Sequence, residues 1–141
     1  MTKQELSKLY RLNRKIEMLQ RELQALESCA YGPPGPNISG MPPGSNVKQS
    51  NVERYAAEVA DLKAIIAAKQ IECVHERNRL IRWVAEVDGW PEQDIFYYRY
   101  VSGLSWSQVA ANIGGGNNAD SVRIRHDRYL QKINSQQTEN S

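Results

Sequence analysis

A seven-residue leucine repeat constrains this chain most. Leu9, Ile16 and Leu23 recur at intervals of seven, and Leu12, Leu19 and Leu26 follow each of them by three. A helix wound at about 3.5 residues per turn keeps such a set on one face, and each knob then needs a hole on a facing helix. The charged residues Lys8, Arg14, Lys15, Glu22 and Glu27 fall outside this seam. Residues 2–28 are therefore expected to form one helix that packs against another. The repeat alone leaves open whether the partner belongs to the same chain or to a second copy.

Gly32-Pro33-Pro34-Gly35-Pro36 and Gly40-Met41-Pro42-Pro43-Gly44 then interrupt any helix, because proline removes a backbone donor and glycine loosens the chain. Residues 30–50 read as an extended, solvated connection. Ser50 or Asn51 is a candidate N-cap for a second long helix. Val52, Tyr55, Val59, Leu62, Ile66, Cys73, Leu80, Trp83 and Val87 continue the a/d pattern, with Lys69 and Glu76 interrupting it at d positions. Ile71, Val74, Ile81 and Ala85 mark a second apolar face, which predicts packing against both the first helix and the C-terminal part. Asp88-Gly89-Trp90-Pro91 supplies the stop. Residues 1–88 thus read as an antiparallel coiled-coil hairpin. Its seam (Leu9, Leu12, Ile16, Leu19, Leu23, Leu26, Val59, Leu62 and Ile66) is also the obvious dimerising surface.

Composition supports an extended all-α chain. Only 40% of residues are apolar, one is Phe, and the mean hydropathy is -0.63, so narrow helical seams fit better than one large core. The net charge of +2 means that any nucleic-acid contact must come from a local surface. No apolar run approaches the roughly 18 residues of a membrane span, and the first residues lack the apolar stretch of a secretory signal. Cys29 and Cys73 are distant, with no C-x-x-C pair. His75 lies two residues from Cys73 on a different helix face, and His126 is remote. Neither a disulfide nor a metal site is indicated, and a reducing cytoplasm is the expected compartment.

Residues 89–134 carry the functional signal. Residues 92–101 read as a helix rich in aromatics (Phe96, Tyr97, Tyr98, Tyr100), expected to pack in a core together with Trp106. Ser105 is placed to cap a helix that ends at Gly114. Ala110 supplies the small residue of a helix crossing, Gly114 the turn four residues later, and Val109 and Ile113 the apolar brackets; this is the helix-turn-helix pattern. Asn117 or Asn118 would cap the next helix, residues 119–133, with Val122, Tyr129, Leu130 and Ile133 inward and Asp120 in its first turn. Residues 135–141 read as a polar, frayed tail.

The string Arg99-Tyr100-Val101-Ser102-Gly103-Leu104-Ser105-Trp106-Ser107-Gln108-Val109-Ala110, with Ser121-Val122-Arg123 and Arg128-Tyr129-Leu130, resembles region 4 of bacterial sigma factors. It is also similar to the sigma-like late transcription regulators of phages and prophages, such as the ArpU and RinA types. The leucine helix, the Ser39-Gly40-Met41-Pro42 loop and the second helix likewise resemble a phage family of this size. The resemblance implies a transcriptional regulator in a bacterial host cell, with double-stranded DNA as partner and RNA polymerase as a second candidate. It implies that Asp120 and Arg123 read bases, with Ala119 and Ile124 alongside. Arginine can take guanine O6 and N7 together, and Asp can accept from cytosine N4. Ser105, Ser107 and Gln108 match positions near phosphates. Asn117, Asn118, Ser121, Arg125 and Arg128 complete the implied DNA-binding set. The turn is two residues longer than the family's. Arg125 stands where the family has an apolar residue, so Ile124 is expected to turn inward instead.

His126 reads as a surface residue or phosphate contact. Asp120 and Asp127 are two helical turns apart, too far to act as an acid/base pair, and Gly114-Gly115-Gly116 lacks the lysine of a phosphate-binding loop. The expectation is a protein without catalytic residues or cofactor. Two alternatives accompany it: a sigma-like factor that binds RNA polymerase without reading DNA, and a phage DNA-packaging recognition subunit.

Overall fold

A computed structural model describes the backbone of residues 1–31 and 45–139 and the side chains of residues 1–31 and 52–138. The Pro/Gly segment 32–44 lies outside these residues. The chain is all-α among the described residues. A short α1 (Lys3–Leu6) leads into α2 (Lys8–Tyr31), and α3 (Ser45–Ala85) returns antiparallel to it. Then follow α4 (Glu92–Phe96), a π-helical turn (Tyr97–Val101), α5 (Trp106–Ile113) and α6 (Ala119–Glu139). The hairpin closes within one chain: Glu27 pairs with Lys63, Lys8 with Glu76, and the Glu5 carbonyl accepts from Arg79. The partner of the leucine repeat is therefore intramolecular.

Two compact units divide the chain, Asn13–Glu72 and Met1–Leu12 with Cys73–Ser141. In the first, Ile16, Val59 and Ile66 are buried, while Leu19, Leu23, Leu26 and Leu62 are half-buried. The second holds two apolar clusters. One gathers Leu6, Leu9, Leu80, Val84, Val87, Phe96 and Leu130. The other joins Ile95, Val109, Ala110 and Val122, flanked by Trp106 and Ile113.

Several boundaries differ from those expected. Helix one is broken at Ser7, which adopts φ -82°, ψ 0° after a Thr2 N-cap and a Thr2–Glu5 capping box. The break admits Leu6, which stands off the heptad, to the same core as Leu9. Helix α2 continues to Tyr31, and α3 is already helical at Ser45, so neither Ser50 nor Asn51 starts it. The C-terminal helix runs to Glu139 rather than fraying after 134. Residues 134–139 contain no Gly or Pro, and Thr138 Oγ1 donates back to the Asn134 carbonyl.

The second apolar face of α3 does not pack as expected. Ile71 and Val74 are 60% and 59% exposed, Ala85 is exposed, and Ile81 is half-buried. One seam serves both partners instead: Leu80, Val84 and Val87 reach Leu9 and also Phe96 and Leu130. Glu76, which interrupts the heptad, is buried at 5% exposure beside Arg79, whose Nε lies 3.1 Å from both carboxylate oxygens. Lys8 Nζ adds a contact at 3.9 Å. The hydrogen bond to Glu76 holds the Arg79 guanidinium above its ordinary pKa, against the opposing effect of burial.

Candidate nucleic-acid interface

Local sequence builds the site. Ser105 Oγ accepts from the Gln108 amide at 3.2 Å, and Gln108 Oε1 accepts from the Ser105 amide at 3.0 Å, which satisfies two free donors at the start of α5. Two of the three residues matched to phosphate positions, Ser105 and Gln108, are therefore also cap residues; the third, Ser107, is exposed. At the far end Gly114 adopts φ 74°, ψ -155°, a region open essentially to glycine alone. Gly115 and Gly116 follow with φ 64° and 78°. Asn117 Nδ2 donates to the Gly114 carbonyl at 2.8 Å and ties the turn together. Of the two candidate caps Asn118 takes the position. Its Oδ1 accepts from the Ser121 amide at 2.8 Å, and Ser121 Oγ accepts from the Asn118 amide at 2.9 Å. The two helices then meet through Val109, Ala110 and Val122 over Ile95.

The inward stripe of α6 is Val122, His126 and Leu130, with Tyr129 and Ile133 half-buried. Two expectations fail here. Ile124 is 46% exposed rather than inward, and His126 is fully buried rather than on the surface. Successive residues turn by about 100°, so His126, four after Val122 and four before Leu130, belongs to the stripe that Ile124 and Arg125 miss. This spacing was available in the sequence, but polarity hid it.

His126 is held on every side. Phe96 and Trp106 rings approach to 4.9 Å between centroids. Nδ1 lies 2.8 Å from Asp127 Oδ1, and Nε2 lies 2.6 Å from Tyr100 Oη. The carboxylate can only accept, so Nδ1 carries the proton and Nε2 accepts from the phenol. Burial pushes the imidazole below its ordinary pKa of 6.5, outweighing the upward pull of Asp127. Burial likewise pushes Tyr100 up to about 12. For Asp127 burial acts upward, but the hydrogen bonds from His126 and Lys3 prevail and hold the carboxyl low. Lys3 Nζ stands 3.0 Å from it and fastens α1 to α6. Arg99 lies 4.5 Å over the Trp106 ring and donates to the Leu104 carbonyl at 2.9 Å. Trp106 is half-buried, Tyr97 is 37% exposed, and only Phe96 of the aromatic run is fully enclosed.

The exposed side of α6 divides in two. On one flank Arg123 Nη2 pairs with Asp120 Oδ1 at 3.0 Å, with both side chains more than half exposed. Ala119 sits half-buried at the start of the helix. On the other flank Ser121, Ile124, Arg125 and Arg128 line an open groove of about 700 Å³ with Tyr129, Lys132, Asp88 and Glu92. Arg125 Nη1 pairs with Glu92 Oε1 at 3.1 Å, and the Tyr129 hydroxyl accepts from the Asp88 amide at 3.3 Å. Lys132, Glu92, Tyr100 and Asp127 were not singled out by sequence as site residues.

No protein family, characterised protein or solved structure matches the chain. Among the described residues no helix is long and apolar enough to cross a membrane. Cys29, exposed, and Cys73, half-buried, are not joined in a disulfide.

Proposed function

We propose that this chain is a sequence-specific DNA-binding transcriptional regulator that sets α6 in the major groove. One observation carries the reading: two capped helices, joined by a turn of three left-handed glycines, pack through Val109, Ala110 and Val122, while Asp120, Arg123, Ile124, Arg125 and Arg128 stay outside. A helix fixed on one side and bearing guanidinium groups on the other is what base-edge readout requires. In this reading Asp120 and Arg123 contact bases, with Ala119 and Ile124 beside them. Ser107 and Arg128 face phosphates. Ser105, Gln108, Asn117, Asn118 and Ser121 hold the helix ends that approach the backbone.

The hairpin belongs to assembly. Its leucine seam is spent inside the chain, so a homodimer would use the outer surface of the helical pair. Selection of bound sequences from random duplex DNA tests the reading. Enrichment of a motif is expected. Failure to enrich any motif, combined with capture of RNA polymerase in the absence of DNA, would instead favour a polymerase-binding factor. Light scattering separates a dimer from the ring expected of a packaging subunit.

A further inference from the structure

Arg125, Arg128 and Lys132 recur at spacings of three and four on α6, a stripe about 10 Å long at 1.5 Å per residue. They line one groove with Ile124 and Tyr129, and Arg128 and Lys132 enter no ion pair among the described residues. Asp88 and Glu92 also line the groove, and Glu92 is occupied by Arg125. The Asp120–Arg123 flank neutralises itself, and Asp127 beyond it is already matched by Lys3. The unmatched positive charge of α6 is thus concentrated on the groove side.

We propose that this groove seats the phosphate backbone of a DNA strand, with Arg128 and Lys132 as its phosphate ligands and Glu92 as the internal counterion that holds Arg125 in reserve. The proposal rests on the DNA-binding reading and deepens it by separating what grips from what reads. Each strand of duplex DNA presents about one phosphate per 3.4 Å of axis, so a stripe of this length can meet more than one phosphate of a strand. The apolar lining from Ile124 and the Tyr129 ring suits the sugar edge. The carboxylates of Asp88 and Glu92 limit how many counterions are released. Ser121 stands at the groove's N-terminal end, but its hydroxyl is committed to the Asn118 cap and contributes no charge.

The test is the dependence of duplex affinity on salt, measured with full-length protein on one DNA duplex between about 50 and 200 mM salt. Each phosphate contact contributes about 0.9 to the slope of log K against log salt. Arg128→Ala and Lys132→Ala should each lower the slope by about that amount, and the double variant by about twice as much. Glu92→Gln should raise both the low-salt affinity and the slope, because Arg125 is released. Lys15→Ala, on the exposed part of α2, should change neither. Arg128 and Lys132 are both exposed, and circular dichroism checks that each variant keeps its helices. A wild type that binds duplex DNA while the double variant keeps the full slope would overturn the phosphate seat and leave DNA binding standing. A Glu92→Gln variant with unchanged affinity would overturn the counterion role of Glu92. A wild type that binds no duplex even at low salt would overturn both readings.

Discussion

Tyr100 Oη and His126 Nε2, 2.6 Å apart, join the π-helical turn to the middle of α6. The bond depends on a neutral imidazole, because protonated Nε2 can no longer accept from the phenol. Burial lowers the folded pKa of His126 from 6.5, so the unfolded chain binds the proton first as pH falls. This contribution is complete above pH 6.5 and is lost as pH falls below it, at up to about 1.4 kcal/mol per pH unit. Asp127 is also depressed, and its contribution is lost only below 3.8. Urea midpoints should therefore drop between pH 7 and 5 in the wild type. His126→Phe should cost stability at pH 7 yet flatten this part of the profile. An equally steep fall in the variant would place the titrating group elsewhere.

Gly114 is the position in the turn that tolerates substitution least. A methyl group added there would meet nothing within 4 Å, so sterics against neighbours are not the obstacle. The obstacle is the backbone itself, at φ 74°, ψ -155°. Gly114→Ala should destabilise the fold by about 1–3 kcal/mol, seen as a lowered midpoint in thermal or urea unfolding. A midpoint within error of wild type would show that the turn relaxes into another conformation.

Glu76 presents a different balance. Removing Arg79 leaves a carboxylate that is 5% exposed with only Lys8 at 3.9 Å, whereas removing Glu76 leaves a guanidinium that is 40% exposed and still donates to the Glu5 carbonyl. Arg79→Ala should cost about 1–3 kcal/mol, below the usual range for a fully buried pair because the arginine is partly solvated. Glu76→Leu, which restores an apolar d position, should be near neutral or stabilising. Denaturant midpoints of the two single variants decide it. Equal losses would mean that the buried charge imposes no special penalty.

The hairpin and the ends of the shorter helices after it were legible because each has a periodic or positional signature. The heptad marks the seam, Ser105 and the pair Asn117-Asn118 mark helix starts, and Gly114 marks a stop. What the sequence concealed are residues whose chemistry and placement disagree. His126 is polar on an apolar stripe, and Glu76 is charged at a heptad core position. Each is buried because a partner distant in sequence or one turn away completes its hydrogen bonds. Ile71 and Val74 show the converse, apolar residues left exposed on a helix whose buried stripe is carried by others such as Leu80 and Val84. The groove was equally hidden, since Glu92 and Arg125 are 33 residues apart and pair only once α4 and α6 are packed.

Under the proposed DNA-binding reading, the Asp120–Arg123 pair distinguishes base reading from charge. The carboxylate 3.0 Å away favours one orientation of the exposed Arg123 side chain. If that orientation serves a guanine, Arg123→Ala should cost about 1–3 kcal/mol on the preferred sequence and relax preference at one base pair. Asp120→Ala should do two opposite things: specific affinity falls because Arg123 is no longer oriented, while affinity for random duplex rises because a negative charge has gone. Titrating both variants against a selected site and a scrambled duplex measures each effect. A uniform change across all sequences would show that this flank supplies only charge. Base readout by α6 would then lie elsewhere or not occur.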